Sequence, residues 1–245
     1  TYAAHENPAW YNVVTVVAGY VPYTLLLLVS LFFLKYRKPQ GGGRSWWSRF
    51  TAYIRNMDDA RLYSLLCIVI IFTFYCIPKS KRSVYLLPIY PFIAYFLAEY
   101  IIYLRHRHLN ALRVFGSVMA SLAVLLLLVF GAVRMGWVPD SLFVGHHAAE
   151  NIAYMHALED FPLTLFAVFG VLVPVAAACW YFRIQRRNTA DNAIIYGFIA
   201  VIFSIFFALD GVYQPVILNV KSDRAVAEEL RRIVPEGRLD SFRTD

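Results

Sequence analysis

Long apolar stretches separated by short polar segments dominate the hydrophobic pattern of this chain. Six of them are long and apolar enough to cross a bilayer as helices, at 11–34, 62–77, 84–104, 112–137, 161–182 and 193–212. The second would rise only about 24 Å as a helix, so we expect its helix to include neighbouring residues or to lie where the bilayer is thin. The pattern predicts an all-α polytopic membrane bundle of six transmembrane helices within residues 1–212.

The pattern changes after the sixth stretch. Residues 215–220 are typical of a strand, residues 222–233 of a capped helix with one apolar face, and a second short strand is expected at Leu239. Residues 213–245 are therefore predicted to begin a small extracytoplasmic α/β domain. Because the chain starts at Thr1 without a methionine and stops soon after this segment, we expect it to be a fragment of a longer protein at both ends.

Composition and charge agree with a membrane protein. The chain is 60% hydrophobic and only 16% charged, which is too apolar for an ordinary soluble domain. Thirteen of the 23 lysines and arginines lie in three loops, at 35–61, 105–113 and 183–187. The excess of positive charge predicts that these loops face the cytoplasm. The net charge of +7 is thus explained by orientation, and nucleic-acid binding is not indicated.

The first of these loops contains a segment with an aromatic face. After Gly41–Gly43, six apolar side chains fall within one helical arc of about 120°: Trp46, Trp47, Phe50, Tyr53, Ile54 and Met57. We interpret residues 46–57 as a helix that lies in the membrane interface and supports the bundle.

The loop between the second and third stretches contains the main candidate binding site. Lys79, Lys81 and Arg82 lie on the predicted extracytoplasmic side, where loops 1–10 and 138–160 contain no lysine or arginine. Arginine offers a planar fork to a phosphate and lysine a point charge, so the loop could hold an anionic lipid phosphate with the hydroxyl of Tyr85 nearby. The alternative is that these cations only anchor two helix ends to headgroups.

These residues also form a longer motif. Lys81-Arg82-x-x-Tyr85-Leu86-Leu87-Pro88-x-x-Pro91, preceded by Pro78-Lys79, resembles the loop and helix start of the protein mannosyltransferase and aminoarabinose transferase superfamily. Its members are membrane glycosyltransferases that depend on polyprenyl-phosphate sugars. The segment His5-x-x-Pro8-x-Trp10-Tyr11 resembles the same superfamily. Most of the chain would then correspond to a late block of membrane spans followed by an extracytoplasmic domain.

The resemblance implies a function and a cellular location. The protein would transfer a sugar from a polyprenyl-phosphate carrier to lipid A, protein or another glycan, on the extracytoplasmic face of the cytoplasmic (inner) membrane of a bacterium. Lys81, Arg82 and Tyr85 would contact the lipid phosphate, with Lys79 beside them. The acid that activates the acceptor is expected upstream, so no catalytic residue is expected in this chain. His5 would lie near the same site, where some members have a ligand of a divalent metal.

Other polar residues are interpreted as structural. The predicted outer loop contains His146, His147, Glu150, His156 and Glu159, whose i, i+3 spacing is metal-like but is also ordinary for a solvated helix. Glu99, Arg134 and Asp210 lie within spans close to their ends, where they can pair or reach the interface. Cys67, Cys76 and Cys179 are interpreted as small apolar residues within the spans.

Two other classes of protein remain open. A transporter or lipid-binding membrane protein could use the basic loop to hold an anionic headgroup without chemistry. A structural subunit of an assembly would tolerate substitution of the loop's cations. No internal repeat of the kind found in many transporters is visible in the sequence.

Overall fold

The computed structural model describes residues 8, 10–34, 45–78, 81–187, 190–222, 231 and 232. Every regular element within these ranges is helical, and five helices are long and apolar enough to cross a membrane. This confirms a predominantly helical chain with several candidate membrane spans. The α-helices are α1 (Trp10–Gly19), α2 (Tyr23–Leu31), α3 (Trp46–Arg55), α4 (Asp59–Cys76), α5 (Tyr90–Arg107), α6 (Leu109–Arg134), α7 (Ala148–Glu159), α8 (Leu165–Arg186), α9 (Asp191–Ala208) and α10 (Gln214–Lys221).

The first predicted span is not one straight helix. Helices α1 and α2 meet at an angle of 95°, so the stretch predicted at 11–34 is a bent helix pair. Pro22 lies between them and has no backbone N–H to continue the helical ladder, and its ring disfavours helical geometry at Val21. If the bent pair crosses the membrane as one span, the described part of the chain has six candidate spans.

The second predicted span is longer than its apolar stretch. Helix α4 has 18 residues and begins at Asp59, because the side chain of Asp58 accepts a hydrogen bond from the backbone N–H of Arg61 at 2.8 Å. This is an ordinary N-terminal cap. The helix therefore reaches about 27 Å, close to the thickness of the hydrocarbon layer.

The strand predicted at 215–220 is wrong. Helix α9 continues through a π-helical segment, Leu209–Tyr213, into α10, so that one helical stretch runs from Asp191 to Lys221. Pro215 stands in the first turn of α10, directly after the π-helical segment, so the N–H that it lacks falls where the regular ladder of hydrogen bonds is already interrupted. The described residues thus give no support to an α/β domain. The remaining predicted helix and the strand at Leu239 lie outside the described residues, apart from Arg231 and Arg232, which are helical.

The predicted amphipathic helix is present as α3. The side chains of Trp47, Phe50 and Tyr53 are 66%, 42% and 61% exposed. A largely exposed aromatic face is what an interfacial helix needs. Its position in the membrane stays a prediction.

The chain divides into two compact units, of which the first comprises residues 1–116 and 189–195. Polar contacts join its helices. Arg61 of α4 donates from Nε to both carboxylate oxygens of Glu99 on α5, at 2.9 and 3.1 Å. Near the C-terminal end of α4, the buried side chain of Asn12 from α1 donates from Nδ2 to the backbone oxygen of Tyr75 at 3.0 Å. The structural role predicted for Glu99 is thus visible as an ion pair.

The second unit comprises residues 117–188 and 196–245. Helix α7 packs against α6 and the end of the last helical stretch. Their buried apolar side chains form one cluster: Phe130, Val133, Met155, Leu158, Val212 and Val216. Arg134, the last residue of α6, donates from Nη1 to the backbone oxygens of Glu159 and Phe161, the latter at 2.8 Å. Arg134 therefore fixes the C-terminal end of α7.

Candidate functional site

The basic loop is a short connection between α4 and a 3-10 helix, Ser83–Ile89. Lys81 is only 6% exposed, and its ammonium donates to the backbone oxygen of Pro78 at 2.6 Å. This contact closes the loop at the C-terminal end of α4, where unpaired carbonyl groups favour a cation. The structure therefore gives Lys81 a role in the shape of the loop. Lys79 lies outside the described residues.

Arg82 and Tyr85 are the accessible members of the predicted site. Arg82 is exposed, and its side chain has no partner among the residues that the structure describes. Tyr85 is 40% exposed and its ring stacks on that of Tyr75, with centroids 5.6 Å apart. The backbone N–H of Tyr85 donates to the oxygen of Arg82 at 3.1 Å, so both residues belong to the same turn. A free guanidinium beside an accessible phenol is suited to binding a phosphate.

The irregular helix start follows from its prolines. Pro88 lies inside the 3-10 helix, and Pro91 stands in the first turn of α5. Each proline removes one N–H from the ladder, which favours short 3-10 geometry over an immediate α-helix. Leu86 and Ile89 are fully buried and fix this segment on the protein, while Arg82 and Tyr85 remain at the surface.

An apolar cavity of about 360 Å³ lies between the bent pair α1–α2 and helix α5. Its walls include Val17, Tyr20 and Leu27 on one side and Ile93, Leu97 and Tyr100 on the other. Tyr20 also stacks on Tyr90, the first residue of α5, with ring centroids 5.0 Å apart. The surface that the wall exposes to the cavity is almost entirely apolar, so the cavity is suited to a hydrocarbon chain. The bend at Pro22, which hydropathy alone did not predict, creates it.

The histidines and acidic residues at 146–159 are interpreted from the sequence as structural despite their metal-like spacing, and among the described residues no group of three or more candidate ligands could hold an ion. His147 lies 3.5 Å from Glu150, and this pair is separate from His156. His5 is outside the described residues, so metal binding there stays an expectation from the resemblance.

His156 of helix α7 lies between two carboxylates. Its Nε2 is 3.4 Å from Oδ1 of Asp140 and its Nδ1 is 3.2 Å from Oε2 of Glu159. The hydrogen bond to Glu159, followed by the attraction of Asp140, raises the pKa of His156 above its ordinary value. The protonated ring donates on both sides and links α7 to the segment before it.

The stability of the protein should therefore depend on pH through His156. A pKa that is higher in the folded than in the unfolded state stabilises the folded form below pH about 6.5, and this contribution is lost as pH rises through the folded-state pKa. We expect the thermal unfolding midpoint to fall between pH 6 and pH 8. The fall should be smaller in His156→Gln, whereas His106→Gln, which changes an exposed histidine at the end of α5, should keep it. Equal pH slopes in wild type and His156→Gln would contradict the assignment.

Two features of the surface were not singled out by sequence reasoning. A cleft at the end of α8 is lined by Trp180 and three exposed arginines, Arg183, Arg186 and Arg187, which the sequence indicated only as orienting charge. Their i, i+3, i+4 spacing was the signal that they share a face. A second cleft contains Asp210, for which sequence reasoning indicated only a structural role, and its aromatic walls bring Phe166 of α8 to residues near the opposite end of the next helix, α9.

Comparisons of this chain with models of protein families, with curated proteins and with solved structures find no match. A proposal for its function therefore rests on its own residues and geometry.

Proposed function

We propose that this chain is part of an integral membrane glycosyltransferase that uses a polyprenyl-phosphate-linked sugar as donor and an extracytoplasmic lipid, protein or glycan as acceptor. The observation that carries the proposal is the position of one 3-10 helix. Its first turn presents Arg82 and Tyr85, and Tyr90, the residue that follows it, stacks on a wall residue of the apolar cavity. Seven residues at about 2 Å each separate the two ends by about 14 Å.

A polyprenyl phosphate has matching chemistry, because an anionic head is joined directly to a long hydrocarbon chain. The exposed guanidinium of Arg82 can donate two parallel hydrogen bonds to a phosphate, and the hydroxyl of Tyr85 can donate a third. The apolar cavity offers the chain a place among side chains at membrane depth. The motif from Lys81 to Pro91, which resembles that of polyprenyl-phosphate-dependent enzymes, supports the same ligand.

The proposed chemistry is transfer at the anomeric carbon of the donor sugar. The acceptor hydroxyl attacks that carbon, the bond to the lipid phosphate breaks, and the phosphate leaves with the bonding electrons. Arg82 and Tyr85 would stabilise the negative charge that develops on the departing phosphate, while Lys81 would hold the loop in position. The proton of the acceptor would pass to an acidic group, which the resemblance places in another part of the protein.

The first test is direct binding of the lipid. The purified protein in a neutral detergent should bind undecaprenyl phosphate in native mass spectrometry at about one molecule per chain, and should bind undecaprenol at least about tenfold more weakly. Undecaprenol is the matched control because it has the same chain and lacks the phosphate. Equal binding of both lipids, or of neither, would contradict the proposal.

The lipid-binding or transport alternative is favoured by one observation. Lys81, the predicted partner of the phosphate, instead donates to Pro78, so the loop is left with less accessible charge for catalysis. A glycosyltransferase cleaves the sugar from its lipid carrier, whereas a lipid-binding protein or a transporter does not. Membranes from cells that make the whole protein should release polyprenyl phosphate from a radiolabelled sugar carrier if it is an enzyme, and should leave the carrier intact if it only binds or moves the lipid.

A further inference from the structure

The π-helical segment between α9 and α10 carries an ionisable residue on a membrane-spanning helix. Asp210 is exposed and lines a cleft of about 490 Å³. Along this helix it lies 19 residues after Asp191, which corresponds to about 28 Å of rise. That distance matches the thickness of the hydrocarbon layer. If Asp191 lies at one boundary of this layer, Asp210 lies near the other, where lipid headgroups begin.

Aromatic rings make up most of the cleft. Phe203, Phe206 and Phe207 come from α9, and Phe166 reaches across from α8 to contact Phe207 edge to face, with centroids 5.4 Å apart. Gly211 makes this approach possible, because a Cβ atom there would lie 2.8 Å from the ring of Phe166. The cleft thus depends on a glycine next to the aspartate.

The carboxylate of Asp210 has no hydrogen-bond or ion-pair partner among the described residues. A lone carboxylate beside phenylalanine rings at the edge of the hydrocarbon layer is unfavourable unless a cation accompanies it. The rings themselves attract a cation through their faces. π-Helical segments within α-helices also occur frequently at functional sites. Charge, rings and backbone geometry therefore all indicate a ligand with a positive group.

We propose that this cleft binds the ammonium group of an ethanolamine phospholipid. A carboxylate only accepts hydrogen bonds, and a primary ammonium donates up to three, whereas the quaternary ammonium of choline donates none. The source is a lipid because the cleft opens on a membrane-spanning helix whose Phe203 is 77% exposed, so acyl chains can lie along the same face. This proposal uses neither Arg82 nor Tyr85 and does not depend on the proposed transferase function.

The first experiment compares lipids and variants by native mass spectrometry of the whole chain. Wild type should bind phosphatidylethanolamine about tenfold more tightly than phosphatidylcholine with the same acyl chains, because only the primary ammonium donates hydrogen bonds to the carboxylate. Asp210→Asn should remove this preference, Asp210→Glu should keep most of it, and Phe206→Leu should weaken the binding of both lipids a few-fold. The matched control is Asp160→Asn, which changes an exposed carboxylate of the same unit outside the cleft. A preference that survives in Asp210→Asn, or that Asp160→Asn also removes, would overturn the proposal.

A second experiment uses the unaltered protein and so does not depend on how a variant folds. A carbodiimide couples a carboxylate to a primary amine that lies against it. In bilayers containing phosphatidylethanolamine, peptide mass spectrometry should find the lipid amide on Asp210 several-fold more often than on Asp160. Excess soluble ethanolamine should not abolish the lipid adduct if the acyl chains contribute to binding. Equal labelling of the two aspartates, or replacement of the lipid by free ethanolamine, would reject a lipid site.

Discussion

Replacing Arg82 with alanine should lower the affinity for undecaprenyl phosphate by about 10- to 100-fold. Hydrogen bonds from a charged donor contribute about 1.5–3 kcal/mol, and each 1.4 kcal/mol corresponds to about a factor of ten in affinity. The guanidinium of Arg82 is exposed and has no partner among the described residues, so its removal should not disturb the fold. Titration of the lipid in native mass spectrometry, followed by sugar transfer in membranes containing the whole protein, measures the effect.

Two variants make the Arg82 experiment specific. Arg107→Ala removes an exposed arginine at the C-terminal end of α5, whereas the basic loop precedes the N-terminal end of that helix. This variant should bind the lipid as wild type does. Lys81→Met keeps the buried stem but removes the hydrogen bond to Pro78, so it should lower thermal stability more than Arg82→Ala does. Full binding and transfer in Arg82→Ala would remove the main support for the transferase proposal and would favour a structural role for the loop.

Replacing Arg134 with leucine should lower the free energy of unfolding by about 2–4 kcal/mol. The side chain donates to the backbone oxygens of both Glu159 and Phe161, and hydrogen bonds from charged groups contribute more than neutral ones. Leucine keeps an apolar contact at the end of α6 but leaves both carbonyl groups without this donor. Unfolding by sodium dodecyl sulfate in mixed micelles, followed by circular dichroism, gives the comparison with wild type.

The control for Arg134 is Arg186→Leu, which removes an exposed arginine near the end of α8 that has no partner among the described residues. It should change stability by less than about 0.5 kcal/mol. Arg134→Lys can reach one of the two oxygens and should fall between wild type and leucine. If Arg134→Leu and Arg186→Leu are equally stable, the contact with α7 does not contribute to stability as we infer.

Prediction from the sequence worked where a single local property decided the outcome. Residues 109–134 and 165–186 are helical and apolar enough to span a membrane, close to the stretches predicted at 112–137 and 161–182, because hydropathy over about 20 residues depends on composition alone. Prediction failed at 215–220, where β-branched residues favoured a strand but the preceding helix continued. A helix already nucleated extends at little cost, and Pro215 follows the π-helical segment, where the regular ladder of hydrogen bonds is already interrupted.

The candidate sites also divide into features that the sequence determined and features that only the tertiary structure decided. The sequence by itself pointed to the basic loop, its prolines and the group Lys79, Lys81, Arg82 and Tyr85, because these are neighbours along the chain. Only the tertiary structure decided that Lys81 is buried against Pro78, that a bend at Pro22 opens an apolar cavity beside α5, and that Phe166 completes the cleft of Asp210. Local spacing determines which helices form, whereas cavities and the burial of a charge depend on contacts between residues that are far apart in sequence.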